Sequence, residues 1–122
     1  MMYKSFTDMK VWQDASRLSL QVFQISQELP KSEDYGLISQ IRRSANSISA
    51  NLAEGFGRKT NKDKANFYII ARGSVFETQN HLHYGIKVGY FEQDSTMAII
   101  NEYSKLIHDL NKLIKSLTSS LT

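Results

Sequence analysis

LISQIRRSANSISANLAEGFG, residues 37–57, decides the fold. Leu37, Ile41, Ala45, Ile48 and Leu52 recur in steps of four and three, which lines one face of a helix; a strand, alternating in twos, cannot produce that row. Ile38 lies beside the seam. Upstream, Ser32 is placed to cap the helix and Glu33 and Asp34 bring negative charge to its positive end. A helix over 33–56 is therefore predicted, closed by Gly55 and Gly57.

The same period extends in both directions. Val11, Ala15, Leu18, Val22, Ile25 and Leu29 predict a first helix over 8–29, with Asp8 as its cap or in its first turn and Pro30 as its stop. Thr60 followed by Asp63 resembles a capping box with a shortened acid, so a third helix is predicted over 61–88. Its row (Ala65, Tyr68, Arg72, Val75, Gln79, Leu82, Ile86) has two polar members, while Phe67, Ile69, Ile70, Phe76 and Tyr84 supply more apolar surface than one seam uses. Gly73 and Gly85 inside it suggest close helix approach or weak spots, and Gly89 should end it with Tyr90 and Phe91 folding back. The fourth, over 93–118, carries Ile100, Tyr103, Ile107, Leu110, Ile114 and Leu117 with a second stripe of Ile99, Leu106 and Leu113. Ser116 to Thr122 should fray.

Helices of roughly 30–40 Å joined by short links must pack antiparallel. The prediction is an all-α, up-down-up-down four-helix bundle forming one domain over residues 1–122. Apolar surplus on the third and fourth helices predicts self-association, because one core cannot bury it all.

With 22% charged residues, one proline and six glycines in 122 residues, the chain is neither a disordered nor a loop-rich scaffold. The lack of cysteine excludes disulfides, thiolate metal sites and cysteine nucleophiles. Residues 1–10 do not resemble a signal peptide, and no segment approaches the ~20 apolar residues a membrane helix needs. A cytoplasmic protein with no membrane partner is expected. The net charge of +3 is compatible with nucleic-acid contact and equally with simple solubility.

No enzyme chemistry can be assembled from these residues. Phosphate-binding glycine loops and clustered carboxylates for magnesium are missing, and no serine, histidine and aspartate set suggests itself. Glu-x-x-His pairs, which hold metals in bundles, do not occur; Glu77 and His81 share a face, but His83 points elsewhere and His108 lies on another helix. No catalytic residue, metal or cofactor is expected.

Two constellations remain. Arg43, Ser47, Asn51 and Glu54, with Ser44 nearby, repeat on one face of the second helix, and a half-buried charge needs a partner. They are expected to form a structural network with Arg72, Ser74 and Glu77 on the third helix, Ser74 beside Gly73 allowing close backbone approach; a ligand site is the alternative. The second is the basic run Arg58, Lys59, Lys62 and Lys64, which Arg42 would extend if it faces outward. In a monomer this is a solvated loop; repeated around an oligomer it becomes a collar able to hold phosphates without reading sequence. Trp12, Phe67 and Tyr68 could stack on bases, although such aromatics more often belong to the core or a subunit contact.

Residues 6–15 (FTDMKVWQDA), 29–57 (LPKSEDYGLISQIRRSANSISANLAEGFG) and 71–77 (ARGSVFE) resemble the bacterial four-helix-bundle family named after proteins encoded in 23S rRNA intervening sequences. Gly36-Leu37, Ser39-Gln40, Arg42-Arg43, Ser47-Ile48, Asn51 and Ala53-Glu54-Gly55 are its specific part, and Asn111 with Leu113 to Leu117 echoes the last helix. The resemblance implies a ring-shaped homopentamer without established enzymatic activity, linked to rRNA by genomic setting. A similar pentameric bundle serves diversity-generating retroelements by binding nucleic acid and a reverse transcriptase, an analogy of fold alone. Two readings follow: a homo-oligomer whose basic rim binds RNA or DNA, and a protein-interaction scaffold or accessory subunit of a nucleic-acid enzyme that touches no nucleic acid itself.

Overall fold

In a computed structural model describing residues 3–119, the helical periods become α1 (Lys10–Ser26), α2 (Leu37–Phe56), α3 (Asn61–Lys87) and α4 (Gln93–Thr118), with no strand among the described residues. Short 3-10 turns at Phe6–Asp8 and Lys31–Glu33 precede α1 and α2. Each helix packs on two others: α1 on α2 and α4, and α3 on α2 and α4. No helix among the described residues is long and apolar enough to cross a membrane.

The helix ends differ from the sequence reading where side chains offer better bonds. Asp8 does not cap α1; its carboxylate accepts from the Lys4 and Ser5 N–H groups and so closes the preceding 3-10 turn. Ser26 ends α1 three residues before Leu29, its hydroxyl donating to the Phe23 carbonyl. At α2 the capping charge is Glu33, not Ser32: Glu33 accepts from the Leu37 N–H at 3.0 Å and from the Tyr90 hydroxyl at 2.9 Å. These bonds hold its carboxyl below the usual carboxylate range. Thr60 caps α3 by accepting from the Asp63 N–H. Helix α4 runs to Thr118, beyond the expected fraying point at Ser116; residues 120–122 of that stretch lie outside the described residues.

Val11, Ala15, Leu18 and Val22 of α1 meet Leu37, Ile41, Ala45, Ile48 and Leu52 of α2 in one core. Burying each large aliphatic contributes about 1.5–3 kcal/mol. The α3 row resolves into two flanks. Small Ala71, Ser74 and Thr78 are buried, whereas Arg72 and Gln79 reach Asn111 and the Ile100 carbonyl on α4. Both stripes of α4 are absorbed, with Ile99 and Leu106 buried and Leu113 packed against the core. The surplus expected on α4 is therefore spent inside the bundle, whereas Ile69, Ile70, Phe76 and Tyr84 of α3 stay exposed.

Gly55 is not a terminator but a contact. It is buried within the last turn of α2, where a methyl group would come within 2.7 Å of the Tyr68 ring. Gly89 has φ of 85°, the left-handed conformation that ends α3 and turns the Tyr90 and Phe91 amides back onto the Gly85 carbonyl. Gly73, by contrast, faces open space.

Candidate nucleic-acid interface

The turn from α2 to α3 is four residues long because Gly57 ends one helix and Thr60 caps the next. It brings Arg58, Lys59, Lys62 and Lys64 to one end of the bundle, but these cations differ in what they are free to do. Lys64 Nζ donates to the Phe56 carbonyl at 2.7 Å, closing the exposed end of α2 as a C-terminal cation does. Arg58 pairs with Glu54 at 3.0 Å and its guanidinium lies over the Phe67 ring, 4.6 Å from the centroid. Lys59 and Lys62 are exposed, with no ion pair or hydrogen bond among the described residues. They are the two cations of this run that stay unengaged among the described residues.

Arg42 does not extend the group. It sits sixteen residues before Arg58, roughly 24 Å along the helix direction. Half-buried between α1 and α2, it donates through Nε to Ser26 Oγ at 2.7 Å and lies 4.3 Å from the Phe23 ring centroid. Its outward placement in the sequence reading fails because Phe23 and Ser26 supply a better environment than water.

The network between α2 and α3 is mostly hydroxyl. Ser44 and Thr78 oxygens are 2.9 Å apart, as are those of Ser47 and Ser74, and the Asn51 amide donates to the Ser47 carbonyl and hydroxyl. Charges close its rim: Arg43 pairs with Glu77 at 2.7 Å, and His81 Nε2 lies 3.3 Å from the same carboxylate oxygen. With the Arg43 side chain 61% exposed, that pair is worth at most about 1 kcal/mol. Glu54 turns to Arg58 and Arg72 to Asn111, so neither joins. Sequence reasoning missed Thr78 and gave Ser44 a marginal place. The available signal was a polar residue on each helix flanking an apolar seam.

Of the aromatic residues, Trp12 makes an edge contact with Phe6, Phe67 lies under Arg58, and Tyr68 is only 3% exposed. Burial pushes the Tyr68 phenol above its ordinary range. Among the described residues, no three His, Asp or Glu side chains are grouped so as to hold a metal ion.

Comparison with known proteins agrees with this architecture. A protein from Bacteroides thetaiotaomicron, described as of unknown function and from the S23 ribosomal protein family, has a solved structure with TM-score 0.79 to this chain. The two share 24% identity over 86% of this chain and 98% of that one, which speaks for the fold. No curated protein matches. The family described as 23S rRNA-intervening sequence protein matches residues 7–112, a span that covers all of α1, α2 and α3 and most of α4. Neither that family nor the solved relative is described as enzymatic. The chain belongs to the 23S rRNA-intervening sequence protein family.

Proposed function

We propose that this protein is a non-enzymatic homo-oligomer of antiparallel, up-down-up-down bundles, a ring homopentamer as the family resemblance implies, whose α2–α3 loops gather at one rim to hold the phosphates of RNA or DNA. The antiparallel course is supported by partner numbers that run in opposite directions. Along α2 and α3, Ser44 meets Thr78 and Ser47 meets Ser74; between α1 and α4, Lys10 meets Asp109 and Arg17 meets Glu102.

One placement carries the functional reading: the exposed apolar ridge of α3 begins about two turns after the unpaired Lys62. Ile69, Ile70 and Phe76 are 40%, 52% and 53% exposed, and Lys62 lies in the first turn of the same helix. A second exposed apolar pair, Leu20 and Phe23, sits on α1. Two unlike patches on one chain suit a head-to-tail contact, which forms a ring when its rotation closes. Seating the ridge on a neighbour would collect the basic loops and multiply a charge that is small in one copy. Cytoplasmic location goes with this partner.

Two measurements test the reading. Light scattering should give a multiple of the 14.0 kDa chain mass, and a monomer would dismiss the ring. Lys59→Glu with Lys62→Glu should weaken RNA and DNA binding and flatten its salt dependence, whereas unchanged binding would remove the rim.

A second reading draws on Arg58 and Lys64 being engaged within the chain, which leaves a weaker collar than the sequence offers. In it the ring is a scaffold for another protein, such as a nucleic-acid enzyme. Recovery of a partner from nuclease-treated lysate, with no binding of free RNA, would favour it.

A further inference from the structure

At the end of the bundle that carries the basic loop, a cleft of ≈ 520 Å³ opens between Met9, the ends of α2 and α4, and the start of α3. Its walls are mostly apolar: Met9, Phe56, Leu113 and Leu117, with Tyr68 among them. Its polar groups are few, as in sites that orient a small flat ligand rather than solvate it. Asn61 stands at the edge, exposed, with no hydrogen bond from its side chain to any described residue. Lys64 reaches the cleft from the loop side.

Tyr68 is the informative residue. It is 3% exposed, it lines the cleft, and its hydroxyl has no hydrogen-bond partner among the described residues. Among the described residues, Tyr103 Oη is the buried side-chain polar atom that lacks both a partner and access to water. The Tyr68 hydroxyl, also unpaired, is therefore not sealed off from water, and the cleft is the opening that Tyr68 lines. A phenol buried to this depth gains from a ligand that can both fill apolar space and return a hydrogen bond.

Resting on the phosphate-binding reading above, we infer that this cleft takes an unstacked base of a single-stranded nucleic acid, whose backbone runs across Lys59 and Lys62. Charge complementarity supports that occupant. Of the two unpaired cations, Lys59 lies on the adjacent loop and Lys62 in the first turn of α3, so a strand held there presents its bases toward the apolar walls. A duplex cannot use the cleft, because its bases are stacked and paired; bases splayed from single strands are read by stacking and by their hydrogen-bonding edges.

The test compares the intact chain with Tyr68→Phe and with Leu113→Trp, which fills the cleft, after circular dichroism confirms that both fold. Probes are a labelled single-stranded RNA, an abasic strand of equal length, and the corresponding duplex. The single strand should bind more tightly than the other two. Tyr68→Phe should weaken it about three- to tenfold while leaving the abasic strand and duplex unchanged. Leu113→Trp should abolish the preference. Equal binding of all three probes by the intact chain would overturn the cleft and leave the basic rim standing; no binding of any probe would overturn both.

Discussion

Lys64 Nζ and the Phe56 carbonyl oxygen are 2.7 Å apart, joining the first turn of α3 to the last residue of α2. A cation that reads as part of a nucleic-acid patch is thus a helix cap. Lys64→Met should lower stability in urea by about 1 kcal/mol through the uncapped carbonyl, whereas Lys59→Met should leave it unchanged. Equal effects would mean that the cap is not held in solution.

Glycines on α2 and α3 should respond oppositely to alanine. At Gly55 the added methyl would lie 2.7 Å from the Tyr68 ring and 2.9 Å from Phe67 Cβ, so Gly55→Ala should cost about 1–3 kcal/mol. At Gly73 nothing lies within 4 Å, so Gly73→Ala should raise helix stability by up to about 1 kcal/mol. Thermal denaturation of the two variants checks the order.

Acid should destabilise the α1–α2 connection. The Glu33 carboxyl is held below its ordinary value of 4.5, first by the Leu37 N–H and then by the Tyr90 hydroxyl. A group depressed in the folded state contributes stability that is present above its unfolded value and lost as pH falls through its folded one. Melting temperature should therefore drop as the pH is taken below 4.5, and Glu33→Gln should shrink that drop. A variant with the same acid dependence as the parent would remove Glu33 from the account.

Tyr103 is fully buried on α4 and its hydroxyl has no partner among the described residues. Burial alone pushes that phenol far above its ordinary range. Tyr103→Phe keeps the ring and removes the unpaired oxygen, so the variant should be at least as stable as the parent and gain up to about 1 kcal/mol in chemical denaturation. A clear loss would show that the oxygen does find a partner in solution.

The helices were legible because burial writes itself into period: Leu18, Ile48, Leu82 and Leu110 lie where spacing puts them, and Thr60 and Gly89 act at the helix ends as their chemistry suggests. What stayed hidden depends on approach between segments far apart in sequence. Gly55 reads as a stop until Tyr68 is seen against it, and Arg42 reads as solvent-facing until Phe23 lies beneath it. The basic run was visible as composition, but nothing in the order of residues separates Lys64, bound to a carbonyl, from Lys62, bound to nothing described. The hydroxyl pairing of Ser44 with Thr78 is likewise a property of the packed pair.

The fold-back at the end of α3 has a kinetic consequence. Tyr90 and Phe91 both bond to the Gly85 carbonyl, and the Phe91 ring occupies the space where a Gly85 side chain would stand. Closing so small a loop costs little chain entropy, which favours local docking before distant segments meet. If the junction of α3 and α4 is formed in the folding transition state, crowding it with Gly85→Ala should slow refolding more than it speeds unfolding.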